Sequence, residues 1–74
     1  MGKKIDLMAT GMNLRAIRMR KGYRGRDIAE MMGVSPGSVS HWESGDFLPC
    51  TMHLVRLADL YAVPVDSLII RRIE

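Results

Sequence analysis

Ala29-Glu30-Met31-Met32-Gly33-Val34-Ser35-Pro36-Gly37-Ser38-Val39-Ser40-His41-Trp42 is the stretch that decides the fold. Ala29 is small enough for two helices to cross closely, and Gly33 suits a turn that needs positive φ. Ser35 is a good cap for a new helix, with Pro36 at its first position. Val39 and Trp42 then fall on one face of that helix, toward a core. Together these residues describe two helices meeting at a tight corner, within a unit spanning residues 24–45. Such a corner presents the outward face of its second helix, chiefly Gly37, Ser38, Ser40, His41 and Ser44, to a partner.

Outward from this unit, breaks at Lys21-Gly22, Gly45-Asp46, Pro49 and Pro64 divide the chain into short helical segments. The first helix is predicted from Thr10, as cap, to Lys21, with Leu14 and Ile17 inward. Arg18 borders that apolar stripe and so needs a partner. The second runs from about Arg24 to Met32, lined by Ile28, Ala29 and Met32, and the third from Pro36 to Ser44. Thr51 to Tyr61 forms the fourth, with Leu54, Leu57, Ala58 and Tyr61 on one stripe. A short fifth begins near Pro64. Leu68-Ile69-Ile70 is too short to separate strand from helix, and no segment shows sustained alternation. The expected fold is all-α, with five helices in one domain over 1–74, preceded by an N-terminal arm at 1–9.

Seventy-four residues, 47% of them hydrophobic and 26% charged, suit one small globular core. That leaves little room for an enzyme's pocket and its supporting shell. Eight basic residues against Asp6 give +7 through Arg26, whereas three arginines against seven acids give −4 afterwards. A polyanionic partner would therefore dock against the first half, although a solvated helix face carries the same signature. Cys50 is the one cysteine, so no internal disulfide forms. No apolar run approaches the roughly 20 residues of a membrane span, and the first twelve residues lack a signal-peptide core. A cytoplasmic, soluble protein without a membrane partner is expected.

Over residues 5–70 the chain resembles the XRE, or Cro/cI-like, family of helix-turn-helix regulators. Leu14-Arg15-Ala16-Ile17-Arg18 is similar to that family's first helix and Asp27-Ile28-Ala29-Glu30 to its second. Val34 to Gly45 resembles its turn and recognition helix, and Ala62-Val63-Pro64-Val65-Asp66-Ser67-Leu68 its closing motif. The resemblance implies a compact lambda-repressor-like domain that binds double-stranded DNA. It also implies a structural ion pair between Arg18 and Glu43. Two departures fall where the family touches DNA. Arg24-Gly25 stands in place of Thr-Gln, so the capping hydroxyl is lost while Arg24 and Arg26 supply positive charge for phosphates. Gly37 and Ser44 replace longer polar residues, leaving His41 as the largest side chain on that face.

The candidate DNA-binding residues are thus Arg24, Arg26, Ser35, Gly37, Ser38, Ser40, His41 and Ser44. His41 is suited to a guanine acceptor, and Ser38 or Ser40 to a base edge or phosphate. The resemblance implies a homodimer on a near-palindromic operator, with the apolar end at 61–70 available to a twin. A protein-interaction module, antitoxin-like or accessory, is the alternative that Gly37 and Ser44 support. His41, Cys50 and His53 lack metal-ligand spacing. The serines and carboxylates form no catalytic constellation, and neither cofactor nor small-molecule substrate is expected.

Overall fold

Asp6, rather than Thr10, starts the first helix. In the computed structural model, which describes residues 2–73, its carboxylate accepts the Ala9 N–H at 2.9 Å and α1 runs Leu7–Arg20. Met1 and Glu74, which enter the composition and charge reading, lie outside the described residues. Thr10 sits a turn inside α1 and is buried. Its hydroxyl accepts the Ile70 N–H at 2.9 Å and donates to the Ile70 carbonyl at 3.3 Å. The residue expected to cap the helix instead clamps it to the far end of the chain.

α2 (Gly25–Met32), α3 (Pro36–Ser44) and α4 (Thr51–Tyr61) follow. Gly33 and Gly45 take φ values of 69° and 78° at the ends of α2 and α3. The N–H groups of Val34 and Asp46 can then reach back to the carbonyls of Ala29 and His41. Ala62 ends α4 in the same left-handed conformation, φ 58°, although it carries a Cβ.

The expected fifth helix is not formed. Val65–Ser67 makes one turn of 3-10 helix, after which Arg71–Ile73 (β2) pairs antiparallel with Lys3–Ile5 (β1), Lys4 facing Arg72. The architecture is therefore four α-helices and a two-stranded ribbon, not five helices. The cause is geometric: Leu68 is 0% exposed, so only a single turn fits between Pro64 and the point where the chain must enter the core. Beyond it the extended backbone finds partners in β1, and the Asp6 N–H extends the contact to the Ile70 carbonyl at 2.8 Å. Residues 3–9, read as an arm, are this strand and the first turn of α1.

The core unites Leu14 and Ile17 of α1, Ile28, Ala29 and Met32 of α2, Val39 and Trp42 of α3, and the predicted stripe of α4. Tyr61 and Leu68 belong to it, and Val63, Val65 and Ile69 pack against it in part. Most of the apolar end offered to a twin is thus used within the chain. α1 crosses α3 at Gly11, where a Cβ would lie 2.5 Å from the Glu43 carbonyl oxygen and 2.8 Å from that of Trp42. This close approach brings the end of α1 within side-chain reach of α3.

Candidate nucleic-acid interface

Val39 and Trp42 fix α3 from beneath, at 3% and 5% exposure. The other face is left to Gly37, Ser40, His41 and Ser44, all exposed, at the spacing that lines one side of a helix. Ser35 caps α3: its Oγ accepts the Ser38 N–H at 3.1 Å and lies 3.0 Å from Ser38 Oγ. Two of the four candidate hydroxyls, Ser35 and Ser38, thus serve the helix start, with Ser38 half-buried while Ser35 stays exposed.

His41 is oriented by two neighbours from the loop after α3. Its Nδ1 lies 2.7 Å from Asp46 Oδ2, and its ring stacks on Phe47 with centroids 5.4 Å apart and planes at 25°. Neither partner was read from the sequence. A residue two past a helix stop has no periodic signature, and only the Gly45 turn folds Asp46 and Phe47 back over the last turn.

Arg24 and Arg26 flank the start of α2. The Asp27 carboxylate accepts the Arg24 backbone N–H at 2.8 Å, the acidic half of a capping box whose hydroxyl half is lost with the threonine, and also receives Arg24 Nε at 3.2 Å. The Arg24 guanidinium beside it lowers the Asp27 pKa from the ordinary carboxylate value. Arg24 is therefore exposed but folded onto an acid, whereas Arg26 is exposed with only a longer-range attraction to Asp27.

Arg18 and Glu43 stand apart from this face. Nε and Nη2 of Arg18 donate to the two carboxylate oxygens of Glu43, at 2.7 and 2.9 Å, and Nη1 donates to the Tyr23 carbonyl at 2.9 Å. Hydrogen bonding to Glu43 raises the Arg18 pKa further above its already high ordinary value, so the guanidinium keeps its charge. It ties α1, the turn before α2 and the last turn of α3 into one rigid frame.

A helix-turn-helix family model matches residues 14–68. The chain belongs to the XRE-type helix-turn-helix family. Among solved structures it is similar to the restriction-modification controller protein C.AhdI from Aeromonas hydrophila. That match has 25% identity and a TM-score of 0.78, covering 85% of this chain and 96% of that one. It is also similar to the clp gene regulator ClgR from C. glutamicum, at 31% identity and TM-score 0.74, over 84% of this chain and 80% of that one. The DNA-binding domain of BldD from S. venezulae matches at 32% identity and TM-score 0.74, over 86% and 96%. No curated protein sequence matches.

Membership makes this helix-turn-helix chain a DNA-binding domain of regulator type, not an enzyme. Several other polar side chains have structural work. Arg56 reaches back from α4 and donates to the Met32 carbonyl at 3.2 Å, satisfying the end of α2. Asn13 Nδ2 donates to the carbonyls of Ser67 and Leu68 at 2.8 and 3.1 Å. His53 packs its ring on Trp42 at 5.4 Å, and Cys50 is exposed. Among the described residues no three ligand side chains gather as a metal site, and no helix is long and apolar enough to cross a membrane.

Proposed function

We propose that this helix-turn-helix domain regulates transcription by binding a short near-palindromic operator as a dimer. In this reading α3 (Pro36–Ser44) lies in the major groove. Gly37, Ser40, His41 and Ser44 face base edges, Ser35 and Ser38 adjoin the backbone at the helix start, and Arg24 and Arg26 approach phosphates. One observation supports it above the rest. α3 is held on one side by Val39 and Trp42 and at its end by Glu43, while its opposite face is exposed and made of glycine, serine and histidine.

Selection from a random duplex library tests the reading: enrichment of a symmetric site is expected, and recovery without any consensus counts against it. Salt separates it from a second reading, a protein-interaction module with weak DNA readout. That alternative has its own support, because Asp27 and Asp46 place acidic groups on two of the candidate contacts, Arg24 and His41. Affinity falling steeply with salt supports phosphate contacts, whereas a flat response favours a protein partner. Sedimentation with and without the selected duplex tests the dimer, and a monomer under both conditions overturns it.

A further inference from the structure

We propose that Asp46 decides what His41 reads: its carboxylate keeps a proton on Nδ1, so that in the neutral ring Nε2 meets a base as an acceptor. This rests on the groove placement of α3 proposed above.

A carboxylate only accepts, so the 2.7 Å contact between Asp46 Oδ2 and His41 Nδ1 requires the proton on Nδ1. In a neutral ring the other nitrogen then carries a lone pair, the arrangement by which a partner on one nitrogen assigns the role of the other. Phe47 stacks on the ring face at 5.4 Å. Flipping the ring would exchange Nδ1 for a carbon and forfeit the Asp46 bond. Asp46 and Phe47 thus fix both orientation and tautomer. Glu43, on the same helix, is gripped by Arg18, whereas Asp46 contacts the ring itself.

The consequence is a base preference opposite to the one that His41 suggests in isolation. In the major groove, guanine shows acceptors at N7 and O6 and thymine an acceptor at O4, whereas adenine N6 and cytosine N4 are amino donors. An acceptor Nε2 pairs with adenine or cytosine and rejects guanine. Only a doubly protonated ring, donating from both nitrogens, would turn to guanine while keeping Asp46.

Two measurements on the full chain test this. ¹⁵N NMR of the free protein, at the pH used for binding, is expected to show His41 protonated at Nδ1 alone; an Nε2–H tautomer or a doubly protonated ring overturns the proposal. Duplex selection should enrich adenine or cytosine at one position per half-site, with replacement by guanine weakening binding about tenfold. In Asp46→Ala, which removes the acceptor from an exposed loop, that preference should collapse to about twofold or shift to guanine. Binding with the same preference in Asp46→Ala overturns this readout and leaves the groove reading intact. Failure of the parent protein to bind any duplex overturns the groove reading and this readout together.

Discussion

Arg18 and Glu43 meet in a two-pronged ion pair between α1 and the last turn of α3, with each side chain only 13% and 12% exposed. Both charges are largely removed from water, so deleting one strands the other. Arg18→Ala or Glu43→Ala is expected to destabilise the fold by about 2–3 kcal/mol, and the double mutant by clearly less than the sum. Urea unfolding of the four proteins of the cycle provides the measurement. Additive effects would show that the two residues act independently. Arg18→Lys should restore little, because an ammonium cannot span both carboxylate oxygens and the Tyr23 carbonyl.

Gly11 makes a second test of the same contact. In the middle of a helix, alanine is ordinarily favoured over glycine by about 1 kcal/mol. Here the added Cβ would come 2.5 Å from the Glu43 carbonyl oxygen, a backbone atom that cannot swing aside. Overpacking then dominates, and Gly11→Ala should lower stability by about 2 kcal/mol net. Gly25→Ala, where a Cβ meets nothing within 4 Å, is the control and should be neutral or slightly stabilising. Thermal unfolding of both variants decides the sign.

What the sequence discloses and what it hides differ by range along the chain. Val39 and Trp42 on one face, Gly33 at the turn and the Leu54 to Tyr61 stripe are local patterns, and each is where the structure puts it. The β1–β2 ribbon is not local: Lys4 and Arg72 pair from opposite ends, and both strands are short and exposed on every residue. Neither length nor alternation can announce such a strand. Thr10 misleads for a related reason, since a hydroxyl caps a helix or clamps a distant backbone equally well, and only Ile70 decides. At the site, the helical face is legible from periodicity. The carboxylates on His41 and Arg24 depend on how a loop and a helix start fold back, which composition does not encode.

Ala62 holds φ 58° at the end of α4, a conformation that places Cβ against the following carbonyl. The cost for a non-glycine residue is about 1–2 kcal/mol, partly offset by the extra freedom that glycine has when unfolded. Ala62→Gly should therefore stabilise the domain by about 0.5–1 kcal/mol. A lower unfolding midpoint than the parent protein would contradict the argument.

Tyr61 gives the fold an alkaline limit. Burial, reinforced by the negative charge of Glu43, pushes its pKa up to about 12 from the usual 10. Below pH 10 the phenol is protonated in both states and its contribution is whole. Above that the unfolded chain loses the proton first and binds fewer protons than the folded one, so stability falls with rising pH. The loss is complete near pH 12 and amounts to about 2 kcal/mol. Tyr61→Phe should remove this part of the slope; identical slopes between pH 10 and 12 in both proteins would rule out Tyr61 as its origin.

Arg24 and Arg26, two residues apart, should not contribute equally to phosphate binding. Each phosphate neutralised by a free cation adds about 0.9 to the slope of log affinity against log salt. Arg26 meets that description, whereas the Arg24 guanidinium is folded onto Asp27, its Nε 3.2 Å from Oδ2. Arg26→Ala should therefore reduce the slope by about one and weaken all duplexes alike, with Arg24→Ala having the smaller effect. Asp27→Asn separates the two roles of the carboxylate. The amide oxygen can still accept the Arg24 N–H and cap α2, but the negative charge is gone and Arg24 is released. Tighter binding and a steeper salt slope are expected for Asp27→Asn, measured by fluorescence anisotropy across a salt series. Unchanged affinity with an intact fold would mean that neither Arg24 nor Asp27 lies near the DNA backbone.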